Sequence, residues 1–380
     1  MKFFHLSDLH IGLKLYNRDL SEDQTYILNQ IVTYAKAEQP DAIVIAGDIY
    51  DKAIPSAEAV TLFDTFLTAL TEAVPEASIM LISGNHDSSQ RVNVFRQLLC
   101  RQNIHMIGMP PQTPDERIEQ VTLTDAFGAV HFYLLPFVKP SMVRQVFGEE
   151  EQRLSYDETL RRLLEREAVD TAERNVLVSH QFYLPKGKRA EDVERMDSEI
   201  RTVGNIDEVS ADVLGPFDYA ALGHIHKPMR AGNDRYRYCG TPLACSLSEA
   251  GQEKGILLVE MGEKGDVQTK VLPLQPLRQV RVVRGKLQDV LQAGSDDYVS
   301  VVLTDTEDLN FVDMQDRVRA AFPHLLEISR EAIRNTERPH RIKAEANLDP
   351  FTLCCMFLEE LQEEDKALLQ DVINHVKGAE

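Results

Sequence analysis

Five short segments of this 380-residue chain carry side chains with the chemistry of metal ligands: Asp8 and His10 in SDLHIG, Asp48 in AGDIYD, Asn85 and His86 in SGNHD, His180 in VSH, and His224 and His226 in GHIH. In an extended segment residues two apart face the same way, so Asp8 with His10, and His224 with His226, can each aim two groups at one point. The set is larger than one ion needs and about right for two. Two ions about 3.5–4 Å apart clamp a displacement at phosphorus, one activating a water and both neutralising the phosphoryl oxygens. Asp48, with two oxygens, is the candidate bridge, and Asn85 would supply an amide oxygen without adding charge. His86 would project elsewhere and act on the substrate. Imidazole, carboxylate and amide oxygen together favour Mn, Fe or Zn over Mg, which prefers oxygen ligands and water. Taken singly, each residue suits a cap, a turn or a structural histidine. Jointly they do not, because turn chemistry has no reason to select histidine repeatedly at such places.

The elements that must position these residues are apolar runs that end in them. KFFHLSD (2–8), DAIVIAGD (41–48), SIMLISGN (78–85), VHFYLLP (130–136), NVLVSH (175–180) and DYAALGH (218–224) read as buried strands bounded by turn signals. Helical patterns lie between several of them, as in residues 23–39 and 57–73. Alternation of this kind predicts an α/β layered domain with ligand groups in the loops at the carboxyl ends of the strands. From about residue 276 the rhythm changes to QVRVVRG, a short helix, DYVSVVLTD, the helix VDMQDRVRAAF and LLEISRE, which reads as a small second αβ domain ending near residue 330. Residues 331–349 read as a polar linker. Residues 350–380 are helical in pattern, with Pro350 suited to the first turn.

The formal net charge of -20 argues against a free-standing nucleic-acid binder, whose footprint is normally basic. Cations or a partner would have to offset the repulsion of a polyanionic substrate. The five cysteines are odd in number and show no C-x-x-C spacing, which suits a reducing compartment. Asp8 interrupts the N-terminal apolar residues too early for a signal core, and no apolar run reaches the ~20 residues of a membrane span. The expected location is the cytoplasm, with no membrane association.

In the order D-x-H, G-D-x-x-D, G-N-H-D, H and G-H-x-H, the motifs of residues 1–226 resemble the calcineurin-like metallophosphoesterases. GNHDSSQR, FDYAALGHIHKP and YRYCGTPLACSLSE (236–249) narrow the resemblance to the SbcD family of bacterial nuclease subunits, which pair with the SbcC ATPase, and the resemblance extends over practically the whole chain. It implies a β-sandwich flanked by helices over residues 1–275, an αβ capping domain for DNA recognition over 276–330, and a C-terminal helix that binds the partner. It further implies that Asp8, His10, Asp48, Asn85, His180, His224 and His226 hold two Mn²⁺ ions and that His86 is the catalytic histidine. The implied activity is a 3′-to-5′ exonuclease on double-stranded DNA ends and an endonuclease on hairpins or blocked ends, acting in repair and recombination as a homodimer with an SbcC-like ATPase. Asp51 stands where archaeal and eukaryotic relatives usually carry a second active-site histidine, and its expected role is to orient DNA or His86.

Asp87 and Ser88 precede the helical pattern of residues 89–99, which favours capping, with orientation of His86 as the sharper alternative for Asp87. Arg91 reads as a solvated helix face or a phosphate contact. The basic run Lys186, Lys188 and Arg189 reads as a solvated loop or as backbone steering for DNA. His5, His105, His131 and His324 read as structural. On the terminal helix Phe351, Phe357 and Leu361 fall mostly on one apolar side, which suits the protein's own core or a groove on the partner. Two other functions fit parts of the pattern, a cyclic-nucleotide or phosphoprotein phosphoesterase and a non-enzymatic scaffold. Residues 227–380 disfavour the first, and the full ligand set disfavours the second.

Overall fold

Apolar runs with no polar face, such as Ala42–Ala46 (AIVIA) and Ser78–Ile82 (SIMLI), must be covered on both sides, and every residue in both is buried. The computed structural model describes residues 1–148, 154–185, 187–188, 196–199, 207–305, 311–331 and 366. Both runs lie in a six-stranded sheet ordered Val267–Leu274, Lys254–Met261, Lys2–Leu6, Ala42–Ala46, Ser78–Ile82, Ile104–Ile107. The last four strands are parallel and the first two add antiparallel. A second six-stranded sheet is ordered Met229–Arg230, Tyr236–Tyr238, Tyr219–Gly223, Arg174–His180, Gly128–Leu135, Glu119–Asp125. Its four inner strands are parallel.

Side chains alternate along each strand, and this divides the core into layers. Phe3, Val44 and Met80 meet Phe132, Val176 and Tyr219 between the sheets. Phe4, Ile43, Ile45 and Ile79 face the other way, against Ile27 and Ile31 of the helix Ser21–Glu38 and Phe63 and Phe66 of Ala57–Ala73. On the far side Leu177, Ala220 and Leu222 pack with Leu160 and Leu163 of Tyr156–Arg166. The expected layered α/β arrangement, a β-sandwich flanked by helices, is the observed one. Each fully buried aliphatic side chain contributes roughly 1.5–3 kcal/mol, so the layering is strongly specified. The helix Tyr156–Arg166 starts from a capping box between Ser155 and Glu158, a local signal legible in S-Y-D-E.

Residues 89–99 depart from expectation. Their helical pattern breaks at Phe95, whose φ of 63° is left-handed, leaving two four-residue helices, Ser89–Val92 and Arg96–Leu99.

The strands Val280–Gly285, Tyr298–Leu303 and Leu325–Arg330 form a third, all-parallel sheet with the helices Leu287–Gln292 and Phe311–Ala321. It has its own core, which includes Val290, Val299, Val301, Met314, Val318 and Phe322. Arg278 fastens this region to the first helix, pairing with Asp23 at 2.9 Å and Glu22 at 2.8 Å, while the Tyr298 hydroxyl donates to Asp23 at 2.8 Å. The next residue, Gln24, donates to the His10 carbonyl at 2.7 Å and accepts from the Gly12 N–H at 3.0 Å, so the same helix turn holds the D-x-H loop.

Met1–Glu331 form one unit and Ala332–Glu380 a second. The terminal helix with Phe351, Phe357 and Leu361, the linker from residue 332, and Lys186 and Arg189 of the basic run lie outside the described residues. No described helix is long and apolar enough to cross a membrane.

Candidate metal centre

The five motifs sit at the carboxyl ends of adjacent parallel strands, three from one sheet and two from the other. Main-chain pairing continues past the strand ends: Asp8 N–H donates to Gly47 O and His10 N–H to Asp48 O, each at 3.0 Å. Asp8 (φ 53°), His10 (43°), Asp48 (50°) and His224 (96°) all adopt left-handed backbone. Such residues cost of order 1 kcal/mol or more each, and the strain persists only where the surroundings impose it. The His224 N–H donates to the Asp8 carboxylate at 3.0 Å, tying the sheets together at the site.

The side chains converge. His10 Nε2 lies 3.1 Å from His226 Nε2 and 3.7 Å from Asp48 Oδ2. On the other side of Asp48, His180 Nε2 lies 3.3 Å from Oδ2 and 3.0 Å from Asn85 Oδ1, which is itself 2.9 Å from His224 Nδ1. Asp8, His10 and His226 form one close group of donors, Asp8, Asp48 and His180 a second, and His10, Asp48 and His86 a third. The donor set fits divalent cations: two imidazole nitrogens face each other across 3.1 Å, and the His10 Nδ1 is buried without a partner among the described residues. His180 Nδ1 donates to the Ala46 carbonyl at 2.7 Å, which turns Nε2 toward the site.

Burial disfavours charge on these imidazoles. At His10 it prevails, and the ring is held well below the ordinary imidazole range despite Asp48. At His180 the Asp48 and Asp8 carboxylates overcome burial and raise the ring to about 9. Burial likewise opposes charge on Asp48, but His180 and His10 hold it below the usual carboxylate range, whereas burial moves Asp8 upward. A neutral imidazole is the ligand form, so a cation held at this ring would take the place of the His180 proton.

His86 is half-buried, its N–H donating to Asp48 Oδ1 at 2.8 Å and its Nδ1 to the Asp51 carbonyl at 2.9 Å. Asp51 therefore reaches His86 through its main chain. Asp87 is no helix cap: its carboxylate accepts from the N–H groups of Ile49, Tyr50 and Gly84 at 2.9–3.0 Å, stitching the G-D and G-N-H-D loops together. Ser88 makes no side-chain cap bond either. Arg91 is exposed on the short helix Ser89–Val92. His5 is buried between the sheets, 3.0 Å from the Tyr219 hydroxyl.

A glycine precedes Asp48, Asn85 and His224, and at none of the three is there room for a side chain. A Cβ on Gly84 would fall 2.1 Å from Asp48 Oδ1, one on Gly47 2.3 Å from His180 Nδ1, and one on Gly223 2.0 Å from the Ala46 carbonyl. Gly84→Ala should therefore displace Asp48, lowering stability by about 1–3 kcal/mol and weakening divalent-cation uptake. Thermal unfolding and calorimetric titration check this against Gly285→Ala, whose Cβ would meet nothing closer than 3.6 Å and which should change neither. Equal behaviour of the two variants would contradict the steric argument.

Residues 1–228 match the family model described as calcineurin-like phosphoesterase. The chain belongs to that family. A second family model, the SbcD C-terminal domain, described as type 5 capsule protein repressor C-terminal domain, matches residues 273–362. The two matches in this order mark a calcineurin-like phosphoesterase of the SbcD nuclease-subunit type. Members of the phosphoesterase family bind divalent metals, and this chain is a metal-dependent phosphoester hydrolase. Among solved structures, it is similar at 14% identity to GAP50, the anchor in the inner membrane complex of Plasmodium, over 87% of this chain and 96% of that one, with a TM-score of 0.41. A dimetal phosphatase from Danio rerio is also 14% identical, over 73% of this chain and 98% of that one, with a TM-score of 0.41.

Proposed function

We propose that this phosphoesterase is a manganese-dependent DNA nuclease that acts with an SbcC-like ATPase in cytoplasmic DNA repair and recombination, as a 3′-to-5′ exonuclease on double-stranded ends and an endonuclease on hairpins and blocked ends. The observation that carries the reading is the convergence of donors from both sheets on Asp48, in a chain whose residues 273–362 match the SbcD C-terminal domain.

We assign Asp8, His10, Asp48 and His226 to one cation and Asp48, Asn85, His180 and His224 to the other, Asp48 being shared. When bound, the pair of cations supplies an activated water and charge neutralisation at the scissile phosphate. The chain orients the rest. With its Nδ1 held by the Asp51 carbonyl, His86 keeps Nε2 for the substrate, where its protonated form donates to the leaving oxygen. Residues 1–275 form the nuclease domain, 276–330 a cap that faces DNA, 331–349 a linker and 350–380 the helix that docks on the ATPase, within a complex built on a nuclease homodimer. The charge of -20 fits this division, since the cations and the partner provide the attraction that the nuclease surface lacks.

End-labelled duplex DNA incubated with Mn²⁺ or Mg²⁺, with and without the ATPase, tests the proposal. Cleavage should be robust with Mn²⁺ and weak with Mg²⁺ alone, because an imidazole-rich site suits the softer ion. Hydrolysis of cyclic nucleotides or phosphopeptides, with DNA left intact, would transfer the assignment to another phosphoesterase activity. Hydrolysis of neither would leave a scaffold.

A further inference from the structure

The segment YRYCGTPLACSLSE is not used by the ligand assignment, yet its last residue reaches the metal centre from behind. His226 Nδ1, the ring nitrogen turned away from His10, lies 2.7 Å from Ser198 Oγ. Ser198 Oγ donates to Glu249 Oε1 at 2.7 Å. The second carboxylate oxygen, Oε2, accepts from Lys254 Nζ at 2.6 Å and from Thr241 Oγ1 at 2.9 Å, and Lys254 Nζ also donates to the His226 carbonyl at 3.3 Å. The His226 N–H donates to Glu199 at 3.1 Å. Glu249 is 1% exposed and Lys254 6%.

Burying an ion pair is costly, and an apolar pair of similar volume is often as stable, so stability alone does not account for this one. Its geometry does specify a proton. A hydroxyl has a single hydrogen, and that of Ser198 goes to Glu249, so Ser198 can only accept from His226. The proton of the neutral imidazole must then sit on Nδ1, leaving the Nε2 lone pair directed at His10 Nε2 and Asp8. Cys245 adjoins the same group, but Lys254 fills the place beside Glu249 that a cation would need there.

We infer that Glu249 is a positioning residue for the metal centre: acting through Ser198 and held by Lys254, it fixes the tautomer and ring orientation of His226. The inference rests on the proposed role of His226 as a ligand and adds to it the groups that prepare the ring. Carboxylate partners of ligand histidines typically contribute ~10–100-fold in metal affinity.

The test uses the full-length chain and Mn²⁺ as the probe. In the metal-free wild type, at a pH where the His226 ring is neutral, ¹⁵N chemical shifts should place its one proton on Nδ1 and leave Nε2 free. Glu249→Gln and Ser198→Ala should each weaken calorimetric Mn²⁺ binding ~10–100-fold, and Ser198→Thr, which keeps the hydroxyl, should restore it. Ser198→Ala leaves the Glu249–Lys254 pair intact, so it decides the matter even where the Glu249 variant fails to fold. A neutral wild-type ring with its proton on Nε2, or unchanged Mn²⁺ affinity in folded Ser198→Ala, would overturn the positioning role alone. A folded wild-type chain that binds no Mn²⁺ would overturn the metal assignment and this inference with it.

Discussion

His86→Leu should slow DNA hydrolysis by ~10²–10⁴-fold, the usual worth of a positioned general acid, while the chain still takes up two Mn²⁺ ions. Asp48→Ala should lose cations and activity together. The contrast follows from placement. Asp48 Oδ2 stands within 3.7 Å of His10 on one side and 3.3 Å of His180 on the other, so its loss removes the shared donor of both proposed ion positions. His86 is half-buried, and its Nδ1 is held by a main-chain carbonyl. It also comes within reach of His10 and Asp48 as a third donor, which makes the experiment decisive. Elemental analysis of the two purified variants, beside their rates on labelled duplex, separates the roles; release of one ion from the His86 variant would make it a ligand.

Truncation after Asn347 should abolish stable co-purification with the ATPase and stimulation by ATP, and should leave a folded, Mn²⁺-dependent nuclease. The SbcD C-terminal match reaches residue 362 and so spans Phe351, Phe357 and Leu361, which the sequence pattern places on one apolar side of a helix. We propose that they enter a groove at the base of a coiled coil on the partner, a recurrent way for an amphipathic helix to tether two proteins. Each buried anchor contributes up to ~1.5–3 kcal/mol, so losing three lowers affinity by several orders of magnitude. Every proposed ligand lies before residue 227, so the metal centre should survive. Full-yield co-purification of the truncated chain would refute the tether, and its unfolding would assign the helix to the protein's own core.

What the residues disclose and what they conceal divides along physical lines. Ala42–Ala46 and Ser78–Ile82 are legible because strands covered on both faces need uninterrupted apolar runs, and the ligands are legible because each follows such a run. The edge strand Val267–Leu274 is not, since it alternates exposed and buried positions and carries Pro273, which only an edge tolerates. Asp87 misleads because aspartate before a helical pattern suits a cap, while two of its three partners lie 37 and 38 residues earlier. Glu249 has no local signature at all. It lies 3.6 Å from His226 Nδ1 and shares with it the hydroxyl of Ser198, 51 residues before it, and no periodicity encodes a contact of that kind.

The hydrogen bond from the His224 N–H to Asp8 joins residues 216 apart. A ribosome adding ~5–20 residues per second takes roughly 10–45 s to make that stretch, and throughout that time the D-x-H loop lacks the His224 N–H that ties it to the second sheet. No nascent or nicked fragment ending before His226 contains the full set of proposed ligands. Hydrolytic competence therefore arrives late in the life of each molecule, after the sandwich has closed, and the topology itself delays a potentially destructive activity during synthesis.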